Sequence, residues 1–192
     1  FNIQLRDWIA QTDCPPNWNA PGSAWRTIEA GLRLMGSWPA AFDRFRHSPE
    51  FTDENLCLML ASMHRQAVHL LEHPTGGNWL LMEMNGVYTF ATLFPEFSDA
   101  AEFRRRSAKT LSDALRGQIL PDGMHDELSP DYHSVVFTCG SQMFRLAQLH
   151  HRTGELPPDF APLLEKAAEA YLALATPGFT QPRTNDCFTL HT

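Results

Sequence analysis

Two stretches of the chain concentrate side chains that could move protons. The first is residues 118–133, and four of its side chains are candidates for chemistry: Gln118, Glu127, Tyr132 and His133. Ser129 followed by Pro130 is typical of a helix start, so Tyr132 is predicted to lie in the first helical turn. A phenol titrates at about pH 10. Tyr132 could therefore act as an acid, or as a base where a neighbour helps it ionise, or it could simply pack at the helix start.

The second stretch begins where Asn78 follows two glycines and opens a helical pattern over residues 78–86. Asparagine is a favoured helix cap, and capping alone would explain Asn78. Glu83 and Asn85 lie inside an otherwise apolar pattern, so they face a cavity or are hydrogen bonded internally. Trp79 could stack on a sugar ring or belong to the core.

Several catalytic classes lack support in this sequence. His125, Asp126, Glu127 and His133 are close together, but their spacing matches no regular metal-binding pattern. We find no serine-nucleophile elbow, phosphate-binding loop or dinucleotide-binding glycine motif. We therefore expect neither a metal nor another cofactor.

The composition of the chain limits the classes of ligand that we expect it to bind. The formal net charge is −7 and the sequence pI is about 5.7, which disfavours nucleic acid and anionic membrane surfaces as ligands. An acidic sugar remains compatible, because a local basic groove can exist in an acidic protein. No apolar run approaches the roughly 18 residues that would indicate a membrane span. The four cysteines are widely spaced, which leaves the redox compartment open.

The apolar spacing is helical almost throughout, and no alternating run indicates a strand. Short loops between helices of this length are typical of stacked antiparallel hairpins. We therefore predict an all-α fold, an incomplete α/α toroid over residues 1–176, followed by a tail over 177–192. The predicted helices cover approximately residues 2–11, 23–36 with a cap at Ser23, 38–45, 52–71 with a cap at Thr52, 78–95, 98–117, 130–152 and 159–175.

Three motifs occur in a characteristic order within about residues 24–150. They are residues 77–87, residues 93–100 and residues 118–133. Together they resemble the helical domain of heparinase II/III-type polysaccharide lyases. The resemblance implies a toroid that is followed by a β-sandwich domain, beginning about where this chain stops. Because the chain also starts at Phe1 without methionine, we expect it to be a fragment.

The resemblance also implies an activity. Members of the family cleave acidic polysaccharides such as heparan sulfate or alginate by β-elimination next to a uronic acid. Asn78 matches the asparagine that contacts the substrate carboxylate, and Tyr132 matches the tyrosine that acts as acid and, for some substrates, as base. Where several relatives have a histidine, this chain has Trp79, which puts a base at that position in doubt. Residues expected to support the site or bind substrate are Trp79, Glu83, Glu127, His133 and Gln118.

Further expectations depend on the missing domain. The family also uses a histidine from that domain, so the present chain alone is expected to be inactive. The expected partner is an acidic polysaccharide, and the expected location is periplasmic or secreted, with the cytoplasm left open. One alternative is a toroid glycoside hydrolase that uses paired carboxylates such as Glu83 and Glu127. Another is a non-catalytic carbohydrate-binding or scaffold domain.

Overall fold

The computed structural model describes residues 1–178 and 180–187, so part of the predicted tail, Phe179 and residues 188–192, lies outside the described residues. A π-helical turn at Arg33–Ser37 joins α2 to α3, and a short 3₁₀ turn at Thr153–Glu155 precedes α8. Within the described residues no strand forms beyond an isolated bridge, so the predicted all-α class is confirmed. The α-helices are α1 Asn2–Gln11, α2 Thr27–Leu32, α3 Trp38–Phe45, α4 Asp53–Glu72, α5 Gly77–Leu93, α6 Ala100–Gln118, α7 Pro130–Leu149 and α8 Phe160–Ala173.

Helix α5 is the centre of the fold. Every residue from Leu81 to Thr92 is buried, and the helix packs against α2, α4, α6 and α7. A helix that is apolar on all sides is stable only when neighbours surround it. Two glycines allow the closest of these contacts, because a Cβ on Gly86 would lie 2.7 Å from the carbonyl oxygen of Gly31 in α2. This packing fixes the first turn of α5 relative to the rest of the domain.

Replacing Gly86 with alanine is expected to destabilise the domain. The new methyl group would press on the backbone of Gly31, which cannot move aside as a flexible side chain can, so we expect a loss of about 1–3 kcal/mol in the free energy of unfolding. Gly117→Ala in α6 is the matched control, because a methyl group there would meet no atom within 4 Å beyond the backbone of its own helix. Urea unfolding followed by circular dichroism measures both variants. Equal stability of Gly86→Ala and the parent would contradict this account of the α2–α5 contact.

The start of the second helix differs from the prediction. Ser23 does not cap it, since the Ser23 hydroxyl instead accepts a hydrogen bond from the Trp25 amide within a turn and α2 begins at Thr27. The predicted interruption near Gly36 is a widened π turn rather than a gap. It ends two residues before Pro39, which has no N–H with which to continue regular α-helical bonding.

Two predicted caps are confirmed. The Thr52 hydroxyl accepts a hydrogen bond from the Asn55 amide at 3.4 Å, and the Ser129 hydroxyl accepts one from the Tyr132 amide at 3.5 Å. Each cap satisfies an amide that the first helical turn leaves without a partner. Pro130 at the first helical position adds a preset backbone angle, so Tyr132 projects from a well-defined end of α7.

Candidate functional site

Asn78 lies one residue inside α5 and does not cap it. The helix begins at Gly77, and Gly76 occupies the cap position, so the capping interpretation of Asn78 is wrong. Gly77 has a φ angle of +59°, a left-handed conformation that favours glycine. The Asn78 side chain instead donates a hydrogen bond from Nδ2 to Oε1 of Glu127 at 3.2 Å. An amide nitrogen carries two N–H donors, so this bond uses one and orients the other.

Tyr132 lies in the first turn of α7, as predicted, with its side chain partly exposed. Its hydroxyl donates a hydrogen bond to Oδ2 of Asp186 at 3.2 Å. That hydrogen bond and the charge of Asp186 raise the pKa of the phenol, and the charges of Glu127 and Asp131 act in the same direction. The surroundings of Tyr132 thus oppose its ionisation, and they favour an acid over a resting tyrosinate base.

Two buried histidines hold the turn between α6 and α7. The Nδ1 atom of His133 accepts a hydrogen bond from the His125 amide at 3.2 Å, and its Nε2 lies 2.9 Å from the carbonyl oxygen of Ala167. The Nδ1 atom of His125 accepts one from the Glu127 amide at 3.3 Å. Because an amide can only donate, each ring carries its proton on Nε2 when neutral. Both rings therefore hold the backbone amides of His125 and Glu127 in place.

Gln118 connects this turn to the start of α5. The Nε2 atom of His125 lies 3.1 Å from Oε1 of Gln118 and 3.2 Å from Oδ1 of Asp126, and it donates to this pair of acceptors. The side-chain amide of Gln118 in turn donates to the carbonyl oxygen of Gly77 at 3.1 Å. The two stretches that the sequence singled out are thus joined by hydrogen bonds directly beside Asn78.

Acidification is expected to destabilise the domain through its buried histidines. Burial lowers the pKa of His125, His133 and His69 below the ordinary value of 6.5. The unfolded chain therefore binds these protons at higher pH than the folded chain, so stability is lost as the pH falls below 6.5. Urea unfolding between about pH 7.5 and about pH 5.5 measures this slope. His133→Asn should reduce the dependence of the free energy of unfolding on pH, and the control His47→Asn, at an exposed position, should not. A parent protein whose stability does not change over this pH range would contradict the account.

Glu83 is fully buried and hydrogen bonds to the loop before α5. Its carboxylate accepts hydrogen bonds from the amide of Thr75 at 3.0 Å and from the Thr75 hydroxyl at 2.5 Å. Asn85, also buried, donates to the side chain of Gln142 at 2.7 Å. Both groups thus brace the interior. A buried Glu83 is poorly placed to form a solvent-accessible catalytic pair with Glu127, which weighs against the hydrolase alternative.

Trp79 is partly buried, and one of its faces already has a partner. The guanidinium of Arg26 lies 4.9 Å from the centre of the Trp79 ring, a cation–π geometry. A sugar could stack only on the remaining exposed part of this ring. The pair places a positive charge beside the first turn of α5.

The sequence interpretation missed a contribution from the C-terminal residues. Thr184, Asn185 and Asp186 all hydrogen bond to the turn that carries Glu127 or to Tyr132 itself. The only signal available was a polar run after Pro182 in a segment without helical periodicity. Such a run does not indicate which distant element it contacts.

The described residues contain no group of three or more His, Cys, Asp or Glu side chains that could hold a metal ion. In that same part of the chain, no helix combines the length and the apolar content needed to cross a bilayer.

The helical hairpins around α5 form an incomplete α/α toroid, and a hydrogen bond at one end joins Asn78 to the turn that precedes Tyr132. The chain belongs to the heparinase II/III N-terminus family, whose model matches residues 1–191. The resemblance drawn from the three sequence motifs is thereby confirmed.

Relatives of known function share both sequence and fold. The chain is 30% identical over 176 residues to a heparin-sulfate lyase of Bacteroides thetaiotaomicron, covering 91% of this chain and 25% of the relative. It is 28% identical over 184 residues to a heparin-sulfate lyase of Pedobacter heparinus, covering 95% of this chain and 28% of the relative. The chain therefore spans about a quarter of the length of these lyases.

Solved structures confirm the predicted incomplete toroid. A crystal structure of heparinase III superposes with a TM-score of 0.85 at 29% identity, covering 92% of this chain and 27% of that one. The structure of a heparan sulfate lyase from Pedobacter heparinus gives a TM-score of 0.78 at 28% identity, covering 94% of this chain and 28% of that one.

Proposed function

We propose that this chain is the helical domain of a lyase that cleaves uronic-acid-containing polysaccharide by β-elimination, with heparan sulfate as the first substrate to test. The names of the similar lyases support that substrate class. The observation that carries the proposal is the position of Glu127. It accepts a hydrogen bond from Asn78, and its charge acts on Tyr132. Glu127 thus links the amide that we propose to bind the substrate carboxylate with the protonated phenol of Tyr132.

Each group has a defined part in the proposed reaction. The oriented N–H of Asn78 donates to the uronate carboxylate, which stabilises the negative charge that develops when the C5 proton leaves. The electron pair of that C–H bond forms the C4–C5 double bond, and the bond from C4 to the glycosidic oxygen breaks. Tyr132 donates its proton to the departing oxygen. We assign the C5 base to the histidine that the family resemblance places in a further domain.

The charges around the site are relevant to an anionic polymer. The groups that act on the Tyr132 phenol, Asp186, Glu127 and Asp131, are all negative, whereas Arg26 over Trp79 supplies a cation near Asn78. An acidic polysaccharide needs more positive charge than this to bind. We therefore propose that the further domain also contributes cations, and that residues 1–192 alone have no lyase activity.

The proposed division of the protein follows from the same resemblance. Residues 1–176 would form the toroid, and residues 177–192 would lead to a β-sandwich domain. The docking of residues 184–187 on the turn before α7 means that this connection also contributes to the site. A periplasmic or secreted location in a bacterium fits an acidic polysaccharide as substrate.

The test is an assay of the full-length protein against heparan sulfate, chondroitin sulfate, hyaluronan and alginate. We expect heparan sulfate to yield products with the ultraviolet absorbance of an unsaturated uronide. Cleavage products without that absorbance would favour the glycoside hydrolase, and calorimetric binding without turnover would favour the carbohydrate-binding domain. Either result would overturn the proposal.

A further inference from the structure

The segment Thr184–Cys187 docks on the turn that precedes α7. This docking segment crosses a separation of more than fifty residues in sequence to reach residues 127–129. The Thr184 hydroxyl donates a hydrogen bond to the Leu128 carbonyl at 3.0 Å. The Asn185 side chain donates to the carbonyls of Glu127 at 3.1 Å and Leu128 at 3.2 Å. In the other direction, the Ser129 hydroxyl donates to the Asp186 carbonyl at 3.2 Å.

These bonds hold a backbone that is otherwise unfavourable. Leu128 has a φ angle of 53°, in the left-handed region that residues with a side chain rarely adopt. Its carbonyl receives both Thr184 and Asn185, so the docking segment stabilises this conformation. The residue before Leu128 is Glu127, the partner of Asn78. The docking segment thus holds the backbone that positions the Glu127 carboxylate beside Asn78.

The docking segment also contacts Tyr132, through the side chain of Asp186. We propose that Asp186 is a positioning residue of the active site, whose carboxylate accepts a hydrogen bond from the Tyr132 hydroxyl at 3.2 Å and keeps it protonated until it turns to the departing oxygen. The inference rests on the proposed function, in which Tyr132 protonates the leaving oxygen. It makes the docking segment part of the site rather than a simple connection to the next domain.

The charges facing Tyr132 give this role a pH signature. They come from three places: Asp186 on the docking segment, Glu127 on the turn and Asp131 on α7. The hydrogen bond from Tyr132 to Asp186 is the largest influence that raises the pKa of the phenol. An acid catalyst loses activity when its proton is lost, so Asp186 extends the activity of the enzyme toward alkaline pH.

The test replaces the carboxylate with its neutral isostere, Asp186→Asn, in the full-length protein. Titration of ring-labelled tyrosine by NMR, with Tyr132→Phe identifying the signal, should show the phenol of Tyr132 ionising at lower pH in the variant. The alkaline limb of the pH profile of kcat/KM should move in the same direction. We expect kcat to fall roughly tenfold with little change in KM, part of the about 100- to 10,000-fold that a complete acid contributes.

The control is Asp43→Asn, which removes the same charge from an exposed position on α3 that pairs with Arg46. It should leave both the Tyr132 titration and the pH profile unchanged. An unchanged titration in Asp186→Asn, or a shifted titration with an unmoved alkaline limb, would overturn the inference. If the parent protein yields no unsaturated product, the proposed function fails. The titration then still decides whether Asp186 controls the Tyr132 proton.

Discussion

Replacing Tyr132 with phenylalanine in the full-length protein will lower kcat on heparan sulfate by about 100- to 10,000-fold, the usual contribution of a general acid. The variant keeps the ring at the start of α7 and removes the hydroxyl that donates to the Asp186 carboxylate. KM should change little, because the lost interaction is made with the departing oxygen in the transition state. Initial rates of unsaturated product formation measure both constants.

The matched control for this variant is Tyr171→Phe. Tyr171 stacks on His133 through its ring, with centroids 5.4 Å apart, and the phenyl group preserves that contact. We expect activity close to that of the parent. Turnover by Tyr132→Phe within a few-fold of the parent would remove Tyr132 from the mechanism, and equal loss in both variants would indicate a general structural effect.

Asn78→Asp is expected to cost about 100- to 1,000-fold in kcat/KM, comparable to the loss of one donor in an oxyanion-binding site. The substitution hardly changes shape but replaces an N–H donor with an acceptor. It would set a carboxylate against Glu127, whose Oε1 lies 3.2 Å from the Asn78 nitrogen, and against the uronate of the substrate. Asn78→Ala removes the donor without adding charge, so it should lose less than Asn78→Asp.

The control is Asn19→Asp, which adds the same charge at an exposed loop position far along the chain from the site. Kinetics on heparan sulfate and thermal unfolding should be recorded for all three variants. A variant at Asn78 that is folded and retains the kcat/KM of the parent would contradict the assignment of this side chain to the substrate carboxylate.

Local rules predicted much of the fold from sequence. Helical periodicity located α4 through α8 to within a few residues, because each of these helices buries one face or more against neighbours. The cap at Ser129 depends only on the three following residues, so it too could be predicted. The same rules failed at Asn78. They identify a suitable cap residue but do not show that the left-handed Gly77 would start the helix, with the cap at Gly76, two positions before Asn78.

The site itself depends on contacts between distant parts of the chain. Asn78 and Glu127 are 49 positions apart, and Tyr132 and Asp186 are 54 apart. Periodicity and capping describe neighbours in sequence, so neither pairing could be derived from them. The resemblance to a family pointed to Asn78 and Tyr132 as site residues, whereas the hydrogen bond from Tyr132 to Asp186 became visible only in three dimensions.

The most direct test of the central claim is the mass of the products formed from heparan sulfate by the full-length protein in water labelled with heavy oxygen. β-Elimination breaks the C4–oxygen bond without consuming water, so the account predicts unsaturated fragments that take up no labelled oxygen during cleavage. Hydrolysis would add one labelled oxygen atom for each bond cleaved and give saturated fragments. That result would contradict the assignment of Asn78 and Tyr132 to a lyase reaction.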